Sequence, residues 1–301
     1  MLPFSRVTII GLGLIGSSIA RAVRQHMPTV RLTLHDADPA VRERVRELDL
    51  ADDVPDTAGA AVIDADLVML CVPVGAMGAV AAAIADDLPA DAIVSDVGSS
   101  KSAVLAALRE ELPSATIIPG HPVAGTENSG PDAGFASLFA GRFCILTPPE
   151  GAPEAAVARL RAFWEAFGSQ VEVMEPKHHD LVLAVTSHVP HLIAYTIVGT
   201  ASDLEEVTQS EVIKYSAGGF RDFTRIAASD PTMWRDVFLN NREAVLEILQ
   251  RLTEDLTMLQ RAIRWGDGDT LFDLFTRTRA VRRSIVEQGQ DDPAPDFGRK
   301  H

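Results

Sequence analysis

The sequence predicts an α/β Rossmann domain, with a mostly parallel and doubly wound sheet, followed by an all-α domain. Two observations support this prediction. In residues 1–175, short β-branched apolar segments alternate with segments of helical spacing, and a glycine-rich turn follows the first of them. In residues 176–289, strand patterns vanish and long helical runs take over. Repeated β-α alternation is typical of a parallel sheet that helices cover on both faces.

The first half supplies the elements of the sheet. Its predicted strands lie at Val7–Ile10, Val30–His35, Asp66–Val72, Ala92–Asp96 and Thr116–Pro119. The helices between them are expected at Leu14–Gln25, Pro39–Leu48, Ala76–Ala85 and Lys101–Glu111. Two later strands, Phe143–Thr147 and Val171–Met174, flank a helix at Glu154–Phe167. These strands are nearly continuous apolar runs, which indicates burial on both faces of the sheet.

The second half consists of long amphipathic helices. Six apolar residues share one stripe because their spacing is 4-3-4-3-4: Val245, Leu249, Leu252, Leu256, Leu259 and Ile263. Gly266 to Gly268 end this helix, and another is predicted from Thr270 to Gln288. Such wide apolar faces need a partner, so we expect residues 176–289 to be a dimerisation domain in a homodimer. Residues 290–301, rich in Asp and Pro, are expected to be disordered.

Composition narrows the classes of partner. The net charge of −15 argues against nucleic acid and anionic membranes. Cys71 and Cys144 are far apart and lack metal-ligand spacing, which favours two reduced thiols. Residues 7–20 are as apolar as a signal-peptide core, but three glycines interrupt them and favour a strand followed by a turn. The pattern indicates no membrane span, and we expect a cytoplasmic protein.

The turn after the first strand has the spacing of a dinucleotide-binding motif. Gly11, Gly13 and Gly16 would respectively permit the tight turn, let the backbone approach a pyrophosphate, and bring helix and strand close together. Leu12, Leu14 and Ile15 complete this predicted cofactor segment. The phosphates would lie at a helix N-terminus, where free N–H groups favour anions. A glycine turn in an unrelated α/β domain is the alternative.

The acidic residue Asp36, 20 residues after Gly16, indicates which dinucleotide binds. A carboxylate there accepts hydrogen bonds from the ribose hydroxyls and repels a 2′-phosphate, and neither Ala37 nor Asp38 offers a cation, so NAD is favoured over NADP. Val72 and Pro73 fit a wall beside the nicotinamide, although Pro73 is equally explained as a strand stop.

Polar residues at two further strand ends predict the chemistry. Ser99 and Ser100 follow one strand, and His121 follows the next. Ligands bind at the carboxyl ends of strands in open α/β sheets. A neutral imidazole beside a serine and a nicotinamide can accept a hydroxyl proton as hydride leaves the carbinol carbon. The alternative for His121 alone is a hydrogen-bonded loop histidine.

Together these segments resemble the prephenate/arogenate dehydrogenase family of tyrosine biosynthesis, from about Arg6 to about Gln288. The resemblance rests on four ordered motifs: SDVGSSK (95–101), GHPVAGTENSG (120–130), TSHVPH (186–191) and GGFRDFTRIAASDPTMW (218–234). It implies an NAD-dependent oxidoreductase that converts prephenate to 4-hydroxyphenylpyruvate, or arogenate to tyrosine, with loss of carbon dioxide.

The resemblance also implies residue roles. His121 would be the proton acceptor, and Ser99, ranked above Ser100, would hold the substrate hydroxyl. His191 and Arg225 would contact the substrate carboxylates, with Glu127 and Thr126 near the substrate side chain.

Charge independently favours a cationic pocket, because a dicarboxylate needs cations. Arg221 shares a helical face with Arg225, but either could instead form a surface ion pair. His188 and His191 have a spacing that could bind a metal, and Pro190 between them is expected to kink the helix. No second ligand motif supports a metal site, so no metal is expected. His178 and His179 are expected on the solvated surface, and Trp234 either packs against the site or belongs to the core.

Three questions stay open at this point: which substrate is used, whether the chain is another class of dehydrogenase, and whether it is an enzyme at all. Prephenate and arogenate differ only by a keto or an amino group. A dehydrogenase for 3-hydroxy acids or imines would use a lysine in the helical half, where Lys214 lies outside the motifs. A non-catalytic, cofactor-sensing protein could use the same fold.

Overall fold

A five-stranded parallel sheet forms the first part of the chain. The computed structural model describes residues 2–126, 128–204 and 218–287. The strands are β1 (Arg6–Ile10), β2 (Arg31–His35), β3 (Leu67–Leu70), β4 (Ile93–Asp96) and β5 (Thr116–Ile117). They pair in parallel in the order β2-β1-β3-β4-β5. The order reverses between β1 and β3, so a crevice opens at their carboxyl ends.

Helices cover both faces of this sheet, as the alternation predicts. They are α1 (Leu14–His26), α2 (Pro39–Glu47), α3 (Ala58–Val62), α4 (Met77–Ile84) and α5 (Ser102–Glu111). Neighbouring strand residues enter opposite cores: Ile9 packs in one buried cluster and Ile10 in the other. The doubly wound Rossmann class is therefore confirmed. The five-residue α3, capped by the Thr57 hydroxyl, was not predicted because it is too short to show a helical period.

A second, three-stranded sheet follows, and the sequence did not predict it as separate. Its strands are β6 (Gly120–Pro122), β7 (Phe143–Leu146) and β8 (Gln170–Val173), with α6 (Glu154–Glu165) between the last two. Strand β6 is antiparallel to β7, and β7 is parallel to β8. His121 pairs with Ile145 in this ladder. The histidine segment, predicted as a loop, is thus a short strand.

The chain becomes helical from Pro176 onward. Helix α7 (Pro176–Leu183) continues through a π-helical turn (Ala184–His188) into α8 (Val189–Asp203). From residue 218 onward, the described chain forms α9 (Gly218–Thr224), a 3₁₀ turn (Arg225–Ala228) and α10 (Pro231–Asn240). The π-turn lies directly before Pro190, where the sequence predicts a kink. The stretch Pro176–Asp203 is long and apolar enough to cross a membrane by composition alone, a test that core helices also pass.

The structure divides into two compact units, residues 1–245 and 246–301. Helix α11 (Arg242–Trp265) runs across this division, and α12 (Gly268–Glu287) belongs to the second unit. The boundary predicted between the Rossmann and helical domains, at residues 175/176, lies between β8 and α7 and does not coincide with this division. The second unit exposes large apolar side chains, including Leu256, Ile263, Trp265, Phe272, Phe275 and Val281. The predicted tail, residues 290–301, lies outside the described residues.

Candidate active site

The glycine turn after β1 has room for a dinucleotide. A Cβ on Gly16 would lie 1.9 Å from the Gly11 carbonyl oxygen, so only glycine lets α1 approach the strand this closely. Gly11 itself has a positive φ of 94°. A Cβ on Gly13 would meet no protein atom within 4 Å, so the space in front of it is open. Helix α1 begins there without a side-chain cap or an acidic first turn, which leaves its N–H groups available to a pyrophosphate.

Backbone hydrogen bonds fix the carboxylate of Asp36 beside this turn. The N–H of Leu12 donates to Oδ2 at 2.8 Å, and the N–H of Asp38 donates to Oδ1 at 3.0 Å. The side chain stays partly exposed, as a ligand of ribose hydroxyls must. These residues fit NAD.

The predicted nicotinamide wall lies directly after β3. Val72 is partly exposed and Pro73 is exposed, as a wall open to a ligand requires. The loop that they begin meets α10, because a Cβ on Gly75 would lie 2.8 Å from Asp236 Oδ2. The loop that follows this wall is therefore in contact with the helix that carries Trp234.

A buried ion pair anchors the strand that carries His121. Lys101 Nζ lies 2.5 Å from Asp96 Oδ2 and donates to the Gly120 carbonyl oxygen at 2.6 Å. Both side chains are fully buried. Burial raises the pKa of Asp96 and lowers the pKa of Lys101, so each side chain depends on the other for stabilisation of its charge. The pair connects the end of β4 to the residue before His121.

His121 is buried and electrically neutral. Its Nδ1 lies 2.9 Å from Nε2 of His179, whose own Nδ1 lies 3.0 Å from Asp180 Oδ1. Its Nε2 has no hydrogen-bond partner among the residues that the structure describes. Burial, and then the neighbouring His179, Lys101 and His188, hold the pKa of His121 well below its ordinary value. The group is therefore available as a proton acceptor at neutral pH.

The expectation for His179 was wrong. His178 is exposed as predicted, whereas His179 is completely buried against His121. Helical spacing permits the difference, since successive residues of α7 face about 100° apart: His178 lies on the exposed side and His179 on the buried side. The signal that could have found it is the adjacent carboxylate of Asp180, a common partner for a working histidine.

Asp180 connects three elements. Its carboxylate accepts the N–H groups of Lys101 (2.7 Å) and Ser102 (2.9 Å) at the start of α5. Asn241 Nδ2 contacts both the Asp180 carbonyl oxygen, at 2.8 Å, and Nδ1 of His188, at 3.0 Å. Burial lowers the pKa of His188 to about 4. Sequence reasoning did not identify Asp180 or Asn241.

The two serines differ in accessibility. Ser99 is partly exposed, so a ligand can reach it. Ser100 is fully buried, and its hydroxyl has no partner among the described residues.

His191 and Trp234 extend the site along α8 and α10. The His191 ring stacks on the Trp234 indole with centroids 3.7 Å apart, and Nδ1 lies 2.8 Å from the Ser187 carbonyl oxygen. Trp234 also contacts His188 edge-on at 6.0 Å, which links this pair to the surroundings of His121. Burial and the charge of Arg225 lower the pKa of His191. Arg225 and Arg221 are both exposed, and within the described parts of the chain neither forms an ion pair.

The remaining predicted residues lie in the segment after His121. Thr126 is exposed, and its hydroxyl accepts the N–H of Asn128 at 3.2 Å. Glu127 lies outside the described residues. In residues 2–126, 128–204 and 218–287, no three His, Cys, Asp or Glu side chains group as a metal site.

Two family models match the chain. Residues 19–173 match the nucleotide-binding domain of prephenate dehydrogenase, and residues 175–277 match its dimerization domain. A cyclohexadienyl dehydrogenase of Zymomonas mobilis is 47% identical over 285 residues, which are 95% of this chain and 97% of that protein.

Solved structures give the same result. Prephenate dehydrogenase from A. aeolicus, in complex with hydroxyphenyl propionate and NAD⁺, has a TM-score of 0.87 at 32% identity, covering 93% of this chain and 98% of that one. Synechocystis arogenate dehydrogenase has a TM-score of 0.80 at 26% identity, covering 93% and 99%. With the open glycine turn and Asp36, these matches identify NAD as the cofactor of this oxidoreductase.

Proposed function

This chain belongs to the prephenate dehydrogenase family, and we propose that it catalyses the NAD-dependent oxidative decarboxylation of prephenate to 4-hydroxyphenylpyruvate in tyrosine biosynthesis. The observation that carries the proposal is the state of His121. It is a buried, neutral imidazole in the short strand β6, held through Nδ1, with Nε2 left for a substrate hydroxyl.

In this proposal, His121 and Ser99 act on the substrate hydroxyl, and other residues bind the substrate carboxylates. The glycine turn and Asp36 would hold NAD, which would supply the acceptor for the hydride on the ring carbon that bears the hydroxyl. His121 Nε2 takes the hydroxyl proton, and the partly exposed Ser99 holds that hydroxyl in place. The bond between the quaternary ring carbon and its carboxylate then breaks, and carbon dioxide leaves. The electron pair of that bond moves through the ring to the carbonyl oxygen, which makes the ring aromatic, and this oxygen takes the proton back from His121. Positioning supplies much of the rate, because aromatisation drives the bond cleavage.

Arg225 and His191 supply the contacts to the substrate carboxylates in this proposal. Arg225 has no ion pair among the described residues, so its guanidinium can form bidentate hydrogen bonds with a carboxylate. His191 already donates from Nδ1 to the Ser187 carbonyl oxygen. It can therefore donate to a carboxylate only by taking up a proton at Nε2. Thr126 and Glu127 are proposed to lie near the substrate side chain.

A second candidate is arogenate, alone or together with prephenate. Two observations favour it: the 47% identical relative is called a cyclohexadienyl dehydrogenase, and one similar structure is an arogenate dehydrogenase. Measuring NADH formation at 340 nm with NAD and each substrate tests both candidates. We expect kcat/KM to be higher for prephenate. A higher value for arogenate would reassign the substrate, and no NADH with either would overturn the proposed function.

We further propose that residues 176–289 form the substrate and dimerisation domain of a cytoplasmic homodimer. The dimerization model matches residues 175–277, and the apolar side chains that the second unit exposes could be buried by a second copy. Both cysteines are free thiols, which fits a reducing compartment. Light scattering of the purified chain would contradict the dimer if it gave a monomer mass of 32.3 kDa.

A further inference from the structure

The structure contains a series of three hydrogen-bonded side chains that ends at the proposed proton acceptor. We propose that His179 and Asp180 are positioning residues that lock His121 in the tautomer with a proton on Nδ1 and a lone pair on Nε2. We call His121, His179 and Asp180 the His-His-Asp triad. This inference rests on the proposed function, in which His121 Nε2 receives the substrate proton.

The direction of each hydrogen bond follows from Asp180. Although burial opposes ionisation, hydrogen bonds from His179, Ser102 and Lys101 hold the pKa of Asp180 below its ordinary value, so the group is a carboxylate. A carboxylate only accepts hydrogen bonds. His179 must therefore donate from Nδ1 across the 3.0 Å contact.

The neutral ring of His179 then has its lone pair on Nε2. Burial lowers the pKa of His179, which keeps this ring neutral. Its Nε2 can only accept, so Nδ1 of His121 must be the donor across the 2.9 Å contact. The remaining nitrogen of His121, Nε2, carries the lone pair that a general base needs. In the opposite arrangement, a lone pair of His179 would face the Asp180 carboxylate at 3.0 Å, which is repulsive.

The triad is held from several sides. Two backbone N–H groups at the start of α5 fix the carboxylate, and Asn241 fixes the Asp180 backbone. The titratable and charged groups that influence the two imidazoles are Lys101, Asp96, Asp180 and His188. When His121 takes a proton, its Nδ1–H donates through His179 towards the carboxylate, which stabilises the new positive charge.

The most direct test reads the tautomer itself. Two-bond ¹H–¹⁵N correlation spectra of the NAD-bound enzyme, labelled with ¹⁵N-histidine, distinguish protonated from unprotonated ring nitrogens. His121→Asn and His179→Gln variants would assign the signals. We expect Nδ1–H for both His121 and His179. An Nε2–H tautomer of His121 would overturn the proposal, and this readout needs no substrate.

Kinetics test the positioning role. We expect His179→Leu to lower kcat roughly 10²- to 10³-fold with little change in KM, because His121 loses its orienting acceptor. His179→Gln, which keeps an acceptor oxygen, should recover at least about 10-fold of that loss. His178→Leu is the matched control, since it makes the same change at the neighbouring exposed position. Equal losses in the Leu and Gln variants, with NAD binding intact, would contradict the proposal.

The pH profile separates positioning from a merely structural role. Asp180→Asn removes the charge that favours protonated His121, so the pKa of His121 should fall. The acid limb of the kcat/KM profile should then move to lower pH, while the plateau also falls. An unmoved limb in a folded variant would contradict the inference. If the tautomers are as expected but neither substrate is turned over, the triad stands and the proposed function fails.

Discussion

The two histidine-containing regions of the site differ in their contact with water. The His-His-Asp triad is buried: His121 is 8% exposed and His179 is 0% exposed. His191 is half-buried, and the neighbouring Arg225 is exposed. A proton acceptor benefits from a dry, fixed environment, because a low dielectric strengthens its interactions and keeps it neutral. A binding site for a dianion must stay open to solvent until its ligand arrives. Changes in the buried region should therefore lower kcat, and changes in the open region should raise KM.

The largest effect expected is that of His121→Asn. We expect kcat to fall roughly 10³-fold or more, because the amide cannot accept the substrate proton as an imidazole does. KM for prephenate and the affinity for NAD should change little, which steady-state kinetics and calorimetric titration with NAD would check. His178→Asn is the control at an exposed histidine. Turnover near that of the control would remove His121 from its role.

Arg225→Gln should have the opposite effect to His121→Asn, raising KM rather than lowering kcat. Losing one charge-assisted contact of about 1.5–3 kcal/mol corresponds to a rise of roughly 10- to 100-fold in KM for prephenate. We expect kcat to change much less. Arg221→Gln is the matched control, since Arg221 is another exposed arginine of the same segment. If the two variants gave the same KM, Arg225 would not be a specific ligand of the substrate.

The sequence predicted those parts of the site that depend on local geometry. The spacing of Gly11, Gly13 and Gly16, and the position of Asp36 after a strand, follow from neighbours along the chain. His121 was found because it follows a predicted apolar strand. Each of these residues obeys a rule that a short window of sequence displays.

The parts that were missed depend on contacts between distant segments. His121 and His179 are 58 residues apart, and their hydrogen bond joins strand β6 to helix α7. Lys101 and Asp96 are only five residues apart, but their burial depends on the segment around Gly120, whose carbonyl oxygen accepts from Lys101. Long-range packing therefore decides which polar residues become buried, and sequence patterns do not report it.

A smaller effect should distinguish the two serines. We expect Ser99→Ala to lower kcat by about 10-fold, the value of one hydrogen bond of about 1.4 kcal/mol. Ser100→Ala should have a weaker effect, because its buried hydroxyl makes no hydrogen bond with the described residues that could be lost. Steady-state kinetics of both variants would check the order. A larger loss in Ser100→Ala would transfer the hydroxyl-binding role to that residue.

The smallest effect concerns stability rather than activity, and it asks whether the buried region depends on neutral imidazoles. The pKa of His188 is lowered from 6.5 to about 4, so the unfolded chain binds this proton more readily than the folded chain. The contribution to stability is fully present above pH 6.5 and is lost as the pH falls towards 4. Between pH 7 and pH 5, this loss is about 1–2 kcal/mol, or a few degrees in Tm. His188→Gln should flatten the dependence of Tm on pH while lowering Tm at pH 7, because Asn241 loses its partner at 3.0 Å. The control variant His178→Gln, at an exposed position, should leave the dependence of Tm on pH unchanged. An equal slope in the unmodified protein and both variants would show that protonation of His188 does not cause the loss of stability at low pH.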